Sequence, residues 1–254
     1  MQRTAVDLYS DRQIFPMHTI KRTVLVTGAS SGIGRAIARN LLQQGHRVLG
    51  VSRDSSKFSQ LMANFIPVQL DFSRLGELPQ KLRELQQTFL GIDAVVFCAG
   101  MGQFGSVEEF SYTQIEDLIA LNFTSQAFLT RALLPALKRK PRSDLIFIGS
   151  EAALKGSRKG AVYCASKFAV RGFTQALREE CGKNNVRVCL INPGMVKTAF
   201  FEALAFEPGD DDSNFIEPED VAKAVSYVLQ SRAQIVVDEM NLSPLSKVVK
   251  FKKT

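Results

Sequence analysis

The chain has 254 residues, 45% of them hydrophobic and 22% charged, with a formal net charge of +7, a balance typical of a globular protein. It has no apolar run near the roughly 18 residues of a membrane span, and its first twenty residues, which include Asp7 and Asp11, do not resemble a secretory signal. Four cysteines without C-x-x-C spacing and two histidines indicate neither a zinc site nor a disulfide framework, and a cytoplasmic location is expected. Lysines crowded near the C-terminus favour solvated ends of elements over nucleic-acid binding.

Short apolar runs alternate with longer amphipathic segments along the chain. Strands are predicted at 22–27, 46–52, 66–71, 92–100, 144–150, 186–194 and 233–239. Helices are predicted at 32–45, 77–90, 112–140 with a bend near Pro135, 161–182 and 218–231. Because strand and helix alternate and the strands are apolar throughout, we expect one α/β domain of the doubly wound Rossmann type, with a parallel sheet covered by helices on both faces.

The chain is predicted to divide into three segments. Residues 1–20 are interpreted as an N-terminal extension, 21–240 as the Rossmann-type domain and 241–254 as a basic C-terminal tail. The acidic stretch EPGDDDSNFIEP (207–218) is expected to be a mobile surface loop.

The first predicted strand runs directly into T-G-A-S-S-G-I-G. Glycines at this point allow a tight turn and a close approach of a pyrophosphate to the N-terminus of the following helix. Because a strand precedes Gly28 and an amphipathic helix follows Gly34, the loop predicts dinucleotide binding.

The spacing T-G-x-x-x-G-x-G resembles that of the short-chain dehydrogenase/reductase family, and the family's other motifs occur in the expected order. By this resemblance the catalytic residues are Asn122, Ser150, Tyr163 and Lys167. The resemblance implies cofactor contacts from Thr27, Gly28, Ser30, Ser31, Gly32, Ile33, Gly34, Arg53, Asp71, Ala99, Gly100, Asn122, Tyr163, Lys167, Pro193, Gly194, Val196 and Thr198. It covers residues 21 to 238.

The resemblance implies hydride transfer between a nicotinamide cofactor and a carbonyl or alcohol, with tyrosine as general acid/base. Lys167 would lower the pKa of Tyr163 electrostatically and bind the ribose of the cofactor. Ser150 would hold the substrate oxygen, and Asn122 would support a water that relays protons to Lys167. A homodimer or homotetramer with a small-molecule substrate is expected, with neither nucleic acid nor membrane as a partner and no metal.

Two features depart from the family pattern. The usual N-N-A-G is replaced by Phe97-Cys98-Ala99-Gly100, which keeps the small residues and loses the polar ones. The last strand lacks the Gly-Gly of many relatives. This favours resemblance to the branch that reduces ketones or oxidises small hydroxy acids over the branch that reduces 3-oxoacyl thioesters on a carrier protein. That thioester reaction remains an alternative, as does a non-catalytic NADP-binding regulatory protein.

The end of the second predicted strand bears on the choice of nicotinamide. A carboxylate there would bind the adenosine ribose and repel a 2′-phosphate, but the chain has Ser52 followed by Arg53. A guanidinium matches phosphate geometry, so we expect NADP(H) in preference to NAD(H). Arg35 and Lys57 would add positive potential, whereas Ser31 stands where many NADP-binding relatives carry a basic residue.

Substrate contacts are expected from the catalytic pair Ser150 and Tyr163, from Leu154 and from the loop 195–217, where Phe200 lies. The crowded apolar side chains Phe200, Phe201, Leu204 and Phe206 are consistent either with a lid over a hydrophobic substrate or with a short helix packed on the core.

Overall fold

The structure, a computed structural model, describes residues 21–54 and 64–252. Predictions that concern residues 1–20 and Lys57 therefore lie outside the described residues. The strands are β1 (Thr23–Thr27), β2 (Arg47–Ser52), β3 (Phe65–Gln69), β4 (Ala94–Phe97), β5 (Ser143–Ile148), β6 (Val186–Pro193), β7 (Phe206–Pro208), β8 (Glu239–Leu242) and β9 (Val249–Phe251). The α-helices are α1 (Gly32–Gln43), α2 (Leu78–Thr88), α3 (Tyr112–Ile119), α4 (Ser125–Leu137), α5 (Ala161–Cys181) and α6 (Pro218–Gln230).

Seven strands form a parallel sheet in the order β3-β2-β1-β4-β5-β6-β8. All residues of β4, β5 and β6 are buried, as expected for strands covered on both faces. The chain runs outward from β1 to β3 and then returns to place β4 on the other side of β1. This switch point opens a crevice at the carboxyl ends of β1 and β4, where doubly wound folds bind ligands.

Helices cover both faces of the sheet. On one face α1 and α6 pack through residues such as Ile37, Leu41 and Val225. On the other face α2, α4 and α5 pack through residues such as Leu82 and Leu129. The predicted α/β Rossmann-type fold is confirmed.

The predicted helix 112–140 is interrupted at a different place from the one expected. Residues Ala120–Thr124 form a π-helical turn between α3 and α4, whereas Pro135 lies inside α4, which continues to Leu137. A π turn adds one residue to the helical turn and re-aims its side chains, a feature often found at functional sites. Here the turn carries Asn122.

The predicted strand at 233–239 is wrong, because the last strand of the sheet begins only at Glu239. Ile235 and Val236 are 40% and 44% exposed rather than buried. The buried Arg187 guanidinium donates hydrogen bonds to the carbonyl oxygens of Arg232 and Ile235, at 3.0 and 3.2 Å. These carbonyl groups therefore bond to a side chain instead of to a neighbouring strand.

The acidic stretch 207–218 is not simply a surface loop. Its first residues belong to β7, which pairs antiparallel with β9 in the C-terminal tail. Asn214, Phe215 and Ile216 are buried. Charge and turn-forming residues hid these contacts from the sequence interpretation, since the partner strand lies far along the chain.

Candidate active site

The glycine loop between β1 and α1 needs glycine for both conformation and space. Gly28 and Gly32 have φ of +68° and +47°, in the left-handed region that glycine tolerates best. A Cβ at Gly34 would clash with the carbonyl oxygen of Gly28, and one at Gly28 would lie 3.1 Å from the backbone of Ala99. The loop therefore lies close against the turn after β4.

Side chains tie the loop to its neighbours. The Thr27 hydroxyl oxygen accepts hydrogen bonds from the backbone N–H groups of Cys98 and Ala99, both at 2.9 Å. The Thr198 methyl carbon lies 3.3 Å from the position of a Cβ on Gly32. The glycine loop, the Ala99-Gly100 turn and the segment after Pro193 thus border one cleft.

The other predicted cofactor residues of the loop have distinct surroundings. Ser31 is the N-cap of α1, and the Ser30 carbonyl oxygen accepts a 2.8 Å hydrogen bond from Arg35 Nε. Ile33 packs against the core, and Val196 forms a β-bridge with Ile216. Arg35 consequently folds over the loop.

The predicted catalytic residues converge at the end of β5 and the start of α5. Tyr163 and Lys167 are one turn apart, and Lys167 Nζ lies 5.8 Å from the centre of the Tyr163 ring. The Ser150 side chain hydrogen-bonds to Tyr163 and also accepts from the Ala152 N–H at 3.1 Å. Lys167 Nζ donates to the carbonyl oxygen of Ile148 at 3.3 Å.

Asn122 completes the group from the π-helical turn. Its amide nitrogen donates to the Met101 carbonyl and to Ser166 Oγ, both at 3.0 Å, and its oxygen accepts from the Met101 N–H at 2.9 Å. A Cβ on Gly100 would lie 3.1 Å from Asn122 Oδ1 and 3.9 Å from Lys167 Nζ. Gly100 therefore leaves the space in which the asparagine and the lysine come together.

Burial dominates the electrostatics of the pair. It raises the pKa of Tyr163 to about 12, against the opposing effect of the Ser150 hydrogen bond. It lowers the pKa of Lys167 to about 8. Burial is therefore the largest influence on the tyrosine pKa, and the Lys167 ammonium is directed towards the Ile148 carbonyl. The expectation that Lys167 lowers the tyrosine pKa stays a prediction.

A second cavity, of about 420 Å³, lies at the carboxyl ends of β2 and β3. Its lining residues are Arg53, Gln69, Leu70, Asp71, Arg74, Glu77 and Lys81. The Asp71 carboxylate accepts hydrogen bonds from the Ser73 N–H and hydroxyl at 3.0 and 2.7 Å. Burial acts to raise the pKa of Asp71, but these bonds and the charges of Arg53 and Arg74 together lower it. The two cationic side chains on the α2 side, Arg74 and Lys81, were not identified from the sequence.

The predicted substrate residues are placed differently from one another. Phe200 lies 6.2 Å from the Tyr163 ring, centre to centre, whereas its neighbours Phe201 and Leu204 are buried. Phe201 and Leu204 thus pack on the core, whereas the lid over a substrate stays a prediction. Leu154 follows the short helix Glu151–Ala153 and is 36% exposed.

Two residues at the site were missed. Phe104 packs against Tyr163 with ring centres 4.9 Å apart, closer than Phe200. Asn192 accepts a hydrogen bond from the Ser150 N–H at 3.3 Å and donates to Glu239 and Asn241, both at 3.0 Å, so it fixes the start of the serine turn. The position of Asn192 just before Pro193-Gly194 is a sequence signal by which it could have been found.

The donor set fits a nicotinamide dinucleotide. The cleft has a glycine cradle that side chains would fill, the N-terminus of α1, and a cationic cavity at its far end. Within residues 21–54 and 64–252 there is no group of three or more metal-ligating side chains. No helix in the same ranges has the length and apolarity needed to cross a membrane.

Comparison with known proteins agrees with this geometry. Residues 22–207 match the short chain dehydrogenase family. An uncharacterized oxidoreductase of Staphylococcus aureus is 31% identical over 229 residues, covering 88% of this chain and 97% of that protein.

Two solved structures are similar over most of their length. A putative NAD(P) dependent gluconate 5-dehydrogenase from Beutenbergia cavernae with bound NADP has 28% identity and a TM-score of 0.79, with 89% and 97% of the two chains covered. An alcohol dehydrogenase from Thermococcus sibiricus complexed with 5-hydroxy-NADP has 26% identity and a TM-score of 0.78, with 87% and 96% covered. The chain is an oxidoreductase that belongs to the short-chain dehydrogenase family.

Proposed function

We propose that the protein is an NADP(H)-dependent oxidoreductase that interconverts a ketone or aldehyde and its alcohol, with Tyr163 as general acid/base. The observation that carries the proposal is the convergence of Ser150, Tyr163, Lys167 and Asn122 beside the glycine cleft. Such a group has one evident use, which is to hold a carbonyl oxygen and move a proton to it.

Each side chain has a defined part in this chemistry. The bound nicotinamide would supply or accept the hydride, and the glycine loop with Thr198 would hold it. Tyr163 is protonated at neutral pH because its pKa is about 12, so in the reducing direction it donates its proton to the developing alkoxide. Ser150, already bonded to Tyr163, places the substrate oxygen within reach of that proton.

Lys167 and Asn122 would restore the proton to Tyr163. With a pKa of about 8, Lys167 exchanges protons close to neutral pH, unlike an exposed lysine. Asn122 uses its amide nitrogen to bond backbone and Ser166, which holds the π-helical turn beside the lysine.

The preference for NADP(H) rests on charge at the adenosine end of the cleft. Arg53, Arg74 and Lys81 all border the cavity, and the Asp71 carboxylate is engaged by Ser73. Glu77 also lines the cavity and is paired with Arg74 at 3.2 Å. A 2′-phosphate placed there would meet the three cationic side chains. Two similar structures contain NADP or an NADP derivative. We further expect the protein to be cytoplasmic and to form a homodimer or homotetramer.

The test is thermal unfolding with NADPH and with NADH, followed by NADPH oxidation with a panel of ketones and aldehydes. A ligand of the folded state adds about 2.7 kcal/mol of stability at a concentration of about 100 Kd. NADPH should raise the Tm more than NADH does, and Arg53→Gln should reduce that difference. Tyr163→Phe should lower turnover about a hundredfold or more while leaving the NADPH shift in place.

Two results would contradict the proposal, the first in its cofactor preference and the second as a whole. A larger shift with NADH would overturn the NADP preference and leave the enzyme class standing. No shift with either nucleotide would remove the basis for catalysis altogether.

A further inference from the structure

The C-terminal tail is fastened to the segment that carries Phe200 and Phe206. We call residues 246–252 the tail clamp. Its strand β9 pairs with β7, and the Lys252 N–H donates to the Ala205 carbonyl at 2.9 Å. Lys252 Nζ donates to the carbonyl oxygens of Phe201 and, at 3.0 Å, Glu202. One lysine thus binds the backbone of the loop on both sides of Ala203.

Further bonds continue along the tail clamp. The Gly209 N–H donates to the Val248 carbonyl at 3.0 Å, and the Ser246 N–H donates to the Ser213 carbonyl at 2.9 Å. Lys250 Nζ lies 2.9 Å from both carboxylate oxygens of Asp210. The tail clamp therefore contacts the loop from residue 201 to residue 213. Most of these contacts are backbone hydrogen bonds, which a tail that contributed only charge would not need.

The clamped loop and Phe104 together form an aromatic wall, defined as Phe104, Phe200, Phe201 and Phe206. The Phe206 ring meets Phe104 edge to face at 5.0 Å, and Phe104 lies 4.9 Å from Tyr163. Phe201 joins Phe200 at 5.2 Å to Phe206 at 5.9 Å. A continuous path of contacts runs from the tail clamp through Phe206 and Phe104 to the proposed acid.

We propose that the aromatic wall selects a neutral carbonyl compound with a flat apolar group next to the carbonyl, and that Lys252 is the positioning residue that keeps the wall in place. Flat groups gain from edge and face contacts with phenylalanine rings. A carboxylate among these rings would lose its solvation without gaining a partner, because the wall consists of phenylalanine side chains. The nearby Glu151 is already paired with Lys247 of the tail clamp. This inference deepens the proposed function and rests on it.

The first experiment compares acetophenone with acetone as substrates with NADPH. We expect kcat/KM to be higher for acetophenone, and Phe104→Leu and Phe206→Leu should each lower it about threefold to tenfold, the size of an aromatic contact. Activity with acetone should change little in the same variants, because the small ketone does not reach the wall. 4-Acetylbenzoate should be a poorer substrate than acetophenone.

The second experiment tests Lys252 as a positioning residue. Lys252→Met removes the bonds from Nζ and keeps the backbone bond to Ala205, and it should raise KM for acetophenone several-fold with little change in kcat. Lys252→Arg, which retains a donor, should restore KM. Lys223→Met is the matched control, since Lys223 lies on α6 away from the loop and forms an exposed pair with Asp220.

Binding of acetophenone is also measured directly, by saturation-transfer NMR on the full chain with NADP. Equal preference for acetone, or better use of 4-acetylbenzoate, would overturn the inference while leaving the oxidoreductase function intact. An unchanged acetophenone KM in Lys252→Met would overturn the role of the lysine. A third outcome is that NADPH binds, neither ketone reacts, and acetophenone still shows saturation transfer that Phe104→Leu weakens. That result would support the aromatic wall as a binding surface and overturn the proposed reaction.

Discussion

Gly102 is a residue whose missing side chain shapes the site. A Cβ there would overlap the Phe200 ring, which shows that the ring lies directly on the Gly102 backbone. The φ of Gly102 is not in the left-handed region, so the glycine is needed for space and not for conformation. The conflict is with the far end of a flexible side chain, which has room to turn away.

Gly102→Ala should therefore fold and displace Phe200 from the neighbourhood of Tyr163. We expect a several-fold change in KM for acetophenone and a Tm within a few degrees of the original. Gly172→Ala is the control, because Gly172 is exposed on α5 with no atom within 4 Å of the added Cβ. That change should add roughly 0.5–1 kcal/mol of helix stability and leave KM unchanged. Equal kinetics for both variants would contradict the steric argument.

Lys167 carries a cost in stability that depends on pH. Its pKa is about 8 in the fold and near 10.4 in an unfolded chain, so at neutral pH folding buries a disfavoured charge. The penalty is fully present below pH 8 and disappears as pH rises from about 8 to about 10.4. Its size is on the order of 3 kcal/mol from the difference in pKa.

Lys167→Met should accordingly be more stable than the original protein at pH 7, while losing activity. The stability gain should shrink as the pH approaches 9.5, a limit chosen because Tyr163 titrates in the unfolded chain above that. Urea unfolding at pH 7, 8.5 and 9.5 measures it. A gain that is constant with pH would show that the lysine does not titrate in this range.

At the scale of elements, the amino ends of the strands contain a buried ionic cluster remote from the cleft. Asp144 at the start of β5 is fully buried and accepts from Arg187 Nε at 2.7 Å and from Arg22. Arg22 also donates to the Asp93 carboxylate at 2.8 Å. These bonds link β1, β5 and β6 at the edge opposite the proposed catalytic residues.

Asp144→Ala should lower the free energy of unfolding by about 3–5 kcal/mol, since it leaves buried guanidinium groups without their carboxylate. The kinetics of the fraction that remains folded should be unchanged. Glu84→Ala breaks the exposed pair with Lys81 and should cost about 0–1 kcal/mol. Chemical denaturation of the two variants makes the comparison, and a similar small cost for both would show that the cluster adds no cooperative strength.

At the scale of the whole molecule, the two-stranded β7–β9 sheet is separate from the seven-stranded sheet. A chain ending after Leu245 should therefore keep the main fold and its NADPH-induced rise in Tm. It should be cut by protease within 199–214 faster than the full chain, because those backbone groups lose their partners. Loss of the NADPH response on truncation would show that the tail supports the cofactor cleft as well.

Sequence alone determined the architecture and identified the residues of the proposed catalytic group. Strand and helix periods are local properties, and the i, i+4 spacing of Tyr163 and Lys167 fixes their shared face of a helix. The apolar run that ends before Ser150 likewise predicts that this serine lies at the carboxyl edge of the sheet, near Tyr163. The NADP preference and the cofactor contacts remain predictions, since they concern charges and ligand atoms that sequence patterns describe only in part.

Only the tertiary structure decided the aromatic wall, the π-helical turn at Asn122 and the pKa of Tyr163. Phe104 and Phe206 belong to segments far apart in the chain, and their contact depends on β9 pairing with β7. The tyrosine pKa follows from the burial of its whole surroundings, which no spacing encodes. Local periodicity specifies elements, whereas long-range packing and desolvation are collective properties of the folded chain.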